Sequence, residues 1–415
     1  MNHERSRDDS LMSGSEPRIT RMTRTRRIRS GVSSVVSVLS VAQVIAVWLL
    51  LAITAVAAQA DRWSEQKARD WYAKQPWLIG SNYNPATAIN QLEMWQADSF
   101  DPKRIDLELG WAEGLGMNTM RVFLHDLLWQ DPEGFKRRLD QFLTIAAKHK
   151  IKPMFVLFDS VWDPDPKLGK QRAPRPGVHN SGWVQSPGRA ALQDPSQYPR
   201  LEAYVKGVVG ALAHDNRVLA WDIWNEPDNE NPGSYNELEP KNKVELALRL
   251  LPQAFAWARA AQPEQPLTSG VWKGDWSTPE KMTAMDRLQI ELSDVVTFHN
   301  YDAPTELERR INWLERYNRP LICTEYMARG NGSYFFGSLL VGKVHHVGMI
   351  NWGFVQGKTQ TNLPWDSWQH PYVDREPSVW FHEIFRNDGT PYLPEEVEFI
   401  KRMTGKVKAK QAAAN

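Results

Sequence analysis

One cysteine, Cys323, stands alone among 415 residues. No disulfide can form within the chain, and neither a Cys-rich zinc site nor an iron–sulfur cluster can be built. Its expected place is a buried strand, where a free thiol behaves as a small apolar side chain. An excess of charge is lacking as well, since 50 Lys and Arg face 49 Asp and Glu. Residues 1–60 hold eight Arg and four acids, which leaves the remainder at −3, so no basic surface awaits a nucleic acid. Several chemical motifs are missing. There is no Gly-x-Gly-x-x-Gly turn and no phosphate loop after any apolar run. Neither a Gly-x-Ser-x-Gly elbow nor a His-Glu-x-x-His zinc motif occurs. His345 and His346 are adjacent and would point about 100° apart on a helix, so a shared metal is not expected. The sequence implies neither a metal nor a cofactor.

What is present describes a globular chain: 42% apolar and 24% charged residues suffice for a large core. Tryptophan is abundant, with 19 residues, a bias that fits stacking against flat ligand faces, sugars foremost. At the amino terminus Arg18, Arg21, Arg24, Arg26, Arg27 and Arg29 precede an apolar stretch over 31–59, densest over 44–56, followed by Ala58-Gln59-Ala60. The order of basic region, apolar region and small-residue cleavage site reads as a signal peptide over 1–60. The expected mature chain, 61–415, is then secreted or periplasmic. The alternative is an uncleaved anchor over 31–56, long enough to cross a bilayer.

From residue 61 onward, apolar runs alternate with helical patterns. The runs lie at 79–83, 118–123, 153–158, 218–224, 266–271, 294–299, 320–325 and 349–354. Between two of them Phe135, Leu139, Phe142, Leu143 and Ala146 recur at helical spacing. A second such face, Leu248, Leu251, Phe255 and Ala258, contains Pro252 as an expected kink. Eight strand–helix units predict a single α/β domain with the (β/α)8 barrel fold; the runner-up is an open doubly wound sheet. Polar residues gather where the runs end: Arg121 to Asp126, Asp159, Asn225 with Glu226, His299 with Tyr301, and Glu325. In a barrel those ends share one face. Two long connections on that face, 159–196 and 355–377, are rich in Trp, Pro and Gly, as ordered binding loops often are.

The fourth run closes on Trp224-Asn225-Glu226-Pro227 and the seventh on Thr324-Glu325-Tyr326. With both motifs on these strands, the chain resembles the clan A glycoside hydrolases, and within them family 5, the cellulase and mannanase family. Two carboxyl groups flanking a glycosidic bond are what its hydrolysis needs. The resemblance implies Glu226 as acid/base and Glu325 as nucleophile. It further implies that Arg121 keeps the nucleophile ionised, that Asn225 holds the sugar 2-hydroxyl, that Tyr301 reaches the nucleophile with His299 near the acid/base, and that Trp352 floors the sugar subsite. One position departs from the family pattern: its histidine near the end of strand three is replaced by Phe158-Asp159-Ser160, and His125 is the candidate to fill that space. Trp162, Trp183, Trp272, Trp276, Trp365 and Trp368 fall in loops of the same face. The expected function is a retaining β-glycosidase acting on a β-1,4-linked glycan of mannan, glucan or xylan type. The alternative is a catalytically idle carbohydrate-binding or envelope-attached barrel.

Overall fold

The structure, a computed structural model, describes residues 62–407. Its strands are β1 (Ile79–Asn82), β2 (Thr119–Phe123), β3 (Lys152–Asp159), β4 (Ala220–Asn225), β5 (Leu267–Thr268), β6 (Val296–Asn300), β7 (Leu321–Tyr326) and β8 (Gly348–Asn351). Helix α1 (Glu65–Ala73) precedes them. One long helix then follows each strand: α2 (Pro102–Leu115), α3 (Pro132–Lys148), α4 (Tyr198–Ala211), α5 (Lys243–Ala260), α6 (Ala284–Leu292), α7 (Pro304–Leu314), α8 (Phe335–Val344) and α9 (Pro394–Met403). The sheet order is β5-β4-β3-β2-β1-β8-β7-β6, and every pair is parallel. A parallel bridge from Val271 to Phe298 joins its two ends. There the Val271 N–H donates to the Thr297 carbonyl (3.1 Å) and the His299 N–H to the Val271 carbonyl (3.0 Å). This ring is the expected (β/α)8 barrel, and the open doubly wound sheet is ruled out.

All eight apolar runs overlap a strand, for a reason visible in β3. Met154 packs in the lower barrel interior with Leu78, Ala220, Ile322 and Ile350, and Val156 packs in the upper interior with Phe123 and Trp183. Phe155 and Leu157 face the helical layer. Both sides of the strand are buried, so the alternation of period two does not show as alternating polarity. The run at 266–271 is the weakest match, forming only the two-residue β5 and the bridge at Val271.

Helices α2 and α3 start on local signals. Asp101 and Asp131 accept hydrogen bonds from the N–H groups of Arg104 and Gly134, each followed by a proline at the first helical position. Helix α2 ends at Gly116 with φ +80°, a conformation that favours glycine. The predicted apolar face of α3 is buried in full. Helix α5 is continuous through Pro252, the position of the expected kink. Leu250, Leu251, Ala254 and Phe255 are all buried there, and this packing offsets the missing backbone hydrogen bond.

Helix α1 closes the lower end of the barrel, with Trp63 and Ala68 against Leu78, Val295 and Ile322. Arg62 ties the entry, its Nε donating to the Ser293 carbonyl (2.7 Å). The expected signal peptide and the alternative anchor, within residues 1–60, lie outside the described residues. Among the described residues no helix is long and apolar enough to cross a membrane. Cys323 is buried in β7, as expected of a structural thiol.

Phe142 of α3 packs against Trp95 (5.3 Å between ring centroids), Phe155 (6.1 Å) and Tyr83 (6.4 Å). Phe142→Ala removes that shared contact and is expected to cost about 3–5 kcal/mol, measured as a lower midpoint of urea unfolding.

Candidate active site

The polar strand ends converge on Arg121, a β2 side chain with no exposed surface. Its Nη1 donates to Asn82 Oδ1 (2.8 Å) and to Glu325 Oε1 (2.7 Å). Nη2 donates to Asp222 Oδ2 (2.8 Å) and Asn225 Oδ1 (2.7 Å), and Nε also reaches Asp222 Oδ2 (3.0 Å). Burial alone would weaken the guanidinium's hold on its proton, but Asp222 and Glu325 reverse that effect and keep it charged. Four strands, β1, β2, β4 and β7, thereby meet at one cation.

Glu226 and Glu325 face each other at the ends of β4 and β7. His299 lies between them: its Nδ1 is 2.9 Å from Glu226 Oε1 and 3.5 Å from Glu325 Oε2. One oxygen of each glutamate and the His299 nitrogen all lie within 4.8 Å of one another. The two carboxyl groups differ in their partners. Glu325 accepts from Arg121 and from the Tyr301 hydroxyl (2.7 Å). Glu226 accepts from the neutral Asn229 amide (2.7 Å) and has His299 as its other partner.

Burial raises the pKa of both glutamates. It pushes Glu226 up to about 7, with Asp228 adding to the effect; at Glu325 the His299 and Arg121 side chains oppose it. A cation 2.7 Å from Glu325 makes it the first of the pair to ionise. His299 is pushed down to about 4, chiefly by burial, so it is neutral near pH 7. These three side chains would be the ligands of any cation entering here, and of the three only Glu325 is paired with Arg121.

Glu226 has φ +46°, a left-handed conformation uncommon for a glutamate and further disfavoured before proline. The Asn229 N–H donates to the Glu226 carbonyl (2.9 Å), and the Asn229 amide and His299 pin its side chain. Strain of this kind persists where surrounding contacts over-determine it.

A cleft of about 440 Å³ opens above the pair, lined by Asn225, Tyr301 and Trp352 among others. Trp162, Trp272, Trp365 and Trp368 also line it. Trp183 and Trp276 do not. Trp183 is buried beneath Trp352, its Nε1 donating to Asp159 Oδ2 (2.6 Å). Trp276 is fully buried against Phe298, and its indole N–H donates to the Lys273 carbonyl (2.9 Å). Loop position alone does not separate a lining tryptophan from a packing one.

Every expected site residue, Arg121, Asn225, Glu226, His299, Tyr301, Glu325 and Trp352, is in this constellation. His125 is the exception among the candidates. Its Nδ1 accepts from the Leu127 N–H (3.1 Å) at the start of a short helical turn and lies beside Asp126. Asp159, at the end of β3, is the group next to Asn225, accepting from its Nδ2 (2.9 Å). Burial pushes Asp159 up to about 7. Three participants were missed from the sequence: Asn82, Asp222 and Asn229. Asp222 had a signal, an acid in mid-strand between Trp221 and Ile223, which a packed barrel tolerates only beside a cation.

The molecule is thus a (β/α)8 barrel whose carboxyl-terminal mouth holds two asymmetrically partnered glutamates under an aromatic cleft. No protein-family profile and no curated protein sequence matches the chain. Solved structures do. The exo-β-1,4-mannosidase Op5Man5 from Opitutaceae bacterium strain TAV5 is similar at 19% identity and TM-score 0.52, over 79% of this chain. The chain spans 59% of the length of that protein. A GH5_18 protein from Bifidobacterium longum subsp. infantis is similar at 12% identity and TM-score 0.51, over 81% of this chain and 80% of its own. At these identities the likeness is one of fold.

The raised carboxyl groups give a stability prediction. Burial pushes Glu226 and Asp159 up to about 7 and Glu383 up to about 8, against about 4 in an unfolded chain. Each binds its proton more tightly when folded, so the stability it contributes at low pH is lost as pH rises through 7 to 8. His179 and His299, pushed down to about 4, act in the opposite sense, but only below about pH 6.5. The melting temperature should therefore fall by several degrees between pH 6.5 and 8.5. Glu383→Gln should flatten that slope, and calorimetry at the two pH values checks both.

Proposed function

We propose that this protein is a retaining glycoside hydrolase of the family 5 type, acting on β-1,4-linked glycans of mannan, glucan or xylan kind. The observation that carries the reading is the spacing and asymmetry of the glutamate pair. Retaining glycosidases hold their carboxyl groups about 5–5.5 Å apart, whereas inverting ones leave about 6.5–9.5 Å for a water. Oxygens of Glu226 and Glu325 within 4.8 Å support the first arrangement.

In this mechanism Glu325, ionised beside Arg121, attacks the anomeric carbon while Glu226 passes its proton to the departing glycosidic oxygen. The glycosyl–Glu325 ester is then opened by a water whose proton returns to Glu226. Asn225 has one amide hydrogen committed to Asp159 and its oxygen committed to Arg121, so its second N–H is the group presented to the sugar 2-hydroxyl. Trp352, held edge-on by Phe123 and Trp183, offers a flat floor to the ring. Export fits this reading: the mature chain would begin at Asp61 and meet its glycan outside the cytoplasm.

Glu325→Ala should abolish turnover of every substrate. Glu226→Ala should lose about 10²–10⁴-fold on poor leaving groups yet still release dinitrophenol from activated aryl β-glycosides in a stoichiometric burst. Burst kinetics and product anomer analysis check both; an inverted first product overturns the double displacement, and no hydrolysis at all favours the idle binding barrel.

The pH profile of kcat/KM should be bell-shaped. Glu226 must be protonated, so activity falls as pH rises through about 7; Glu325 must be ionised, so activity falls again at low pH. Trp352→Ala should weaken kcat/KM by about 0.5–1.5 kcal/mol, the range for aromatic pairs, without lowering the melting temperature by more than a few degrees.

A further inference from the structure

We infer that the cleft is closed on the side of the sugar that receives Glu325, so that the enzyme removes single residues from the non-reducing end of its glycan. This rests on the glycosidase reading above and specifies its substrate as a chain terminus.

The closure is built from loops that follow non-neighbouring strands. β3 and β8 are separated in the barrel by β2 and β1, yet their loops are joined. The Asn180 N–H donates to the Thr359 carbonyl (2.7 Å), the Tyr372 N–H to the Gly177 carbonyl (2.9 Å) and the His179 N–H to Ser367 Oγ (2.9 Å). His179 Nδ1 also meets the Leu363 carbonyl (2.7 Å). These bonds carry the chain across the ends of β1 and β2. The loop after β4 borders this wall where the closed and open sides meet. Asn231 bonds the Trp162 N–H (2.7 Å), Gln369 Nε2 donates to the Gly233 carbonyl (2.8 Å), and Trp162 stacks on Trp368 at 5.1 Å and 12°.

Beyond Trp352 on the β1–β2 side there remains a cavity of about 30 Å³, lined by Asn82, Asn84, Trp352, Thr361 and Glu383. By that measure it holds roughly one or two waters, which is room for a hydroxyl and none for another sugar ring. Two of its wall groups have no partner among the described residues: Glu383 Oε2 and Asn84 Oδ1, both buried. Glu383 is 1% exposed, its other oxygen is taken by the Thr361 hydroxyl, and Oε2 points toward Gly353, next to Trp352. A buried polar group without a partner is costly, and a terminal sugar hydroxyl would pair with Glu383 Oε2.

The opposite side is roomy. Glu226 delivers its proton to the departing group, so that group lies on the β4–β5 side. There Asn229, Pro232 and Trp272 line both the cleft and a neighbouring depression of about 460 Å³.

The test is the product series from manno-, cello- and xylopentaose labelled at the reducing end with 2-aminobenzamide, run beside the matching 4-nitrophenyl β-glycosides. The expected result is unlabelled monosaccharide as the first product, with the labelled chain shortening one residue at a time. Labelled mono- or disaccharide at the earliest times, without free monosaccharide, would mean internal cutting and would overturn this inference alone. No turnover of any oligosaccharide or aryl glycoside would overturn the glycosidase reading together with it. For the small cavity, Glu383→Ala should lower kcat/KM on the preferred aryl glycoside at least tenfold, while Glu383→Gln should stay within about threefold of the parent. An unchanged kcat/KM in a folded Glu383→Ala protein would remove the hydroxyl assignment.

Discussion

A single buried cation organises the mouth of this barrel. Isolated in the interior, the Arg121 guanidinium would carry a desolvation penalty of several kcal/mol. Asp222, Glu325, Asn82 and Asn225 surround it with acceptors matched to its planar fork. The dependence runs both ways, because removing the arginine would strand two buried carboxylates. Strand register and site assembly are therefore tied: the four strands that contribute these groups must be in register for all of them to be satisfied.

The same cation sets the chemical division between the two glutamates. Burial raises both, but only one has a full positive charge in direct contact. His299, neutral because it is buried, touches both carboxyl groups without erasing that difference. Two similar side chains a few ångströms apart thus acquire opposite protonation preferences from their neighbours rather than from their own chemistry. Asp159, held by Trp183 and Gln91 as well as Asn225, extends the network outward and fixes which face of the Asn225 amide meets the cleft.

Around this polar centre the abundant tryptophans serve two purposes that look alike in the sequence. Trp183 and Trp276 spend their indole N–H groups on interior acceptors and act as packing. Trp162, Trp272, Trp365 and Trp368 expose faces to the cleft. What separates Trp272 from Trp276, four residues apart in one loop, is which surrounding segments cover each ring.

Strand number, strand order along the chain and the glutamate pair were legible in the sequence because each depends on local pattern. Parallel strands buried on both faces read as apolar runs, and Asn225-Glu226 and Glu325 interrupt such runs at their ends, where packing has no use for a carboxyl group. The role of Asp222, the displacement of His125 to a helical turn and the closure of the cleft were not legible. Each depends on partners remote in the chain: Arg121 bonds Asp222 across 101 residues, and His179 bonds Ser367 across 188. Local spacing reports which residues end a strand and on which face they emerge. Only the tertiary structure decides which loops meet above that face, because their contacts form between segments whose proximity no short-range periodicity encodes.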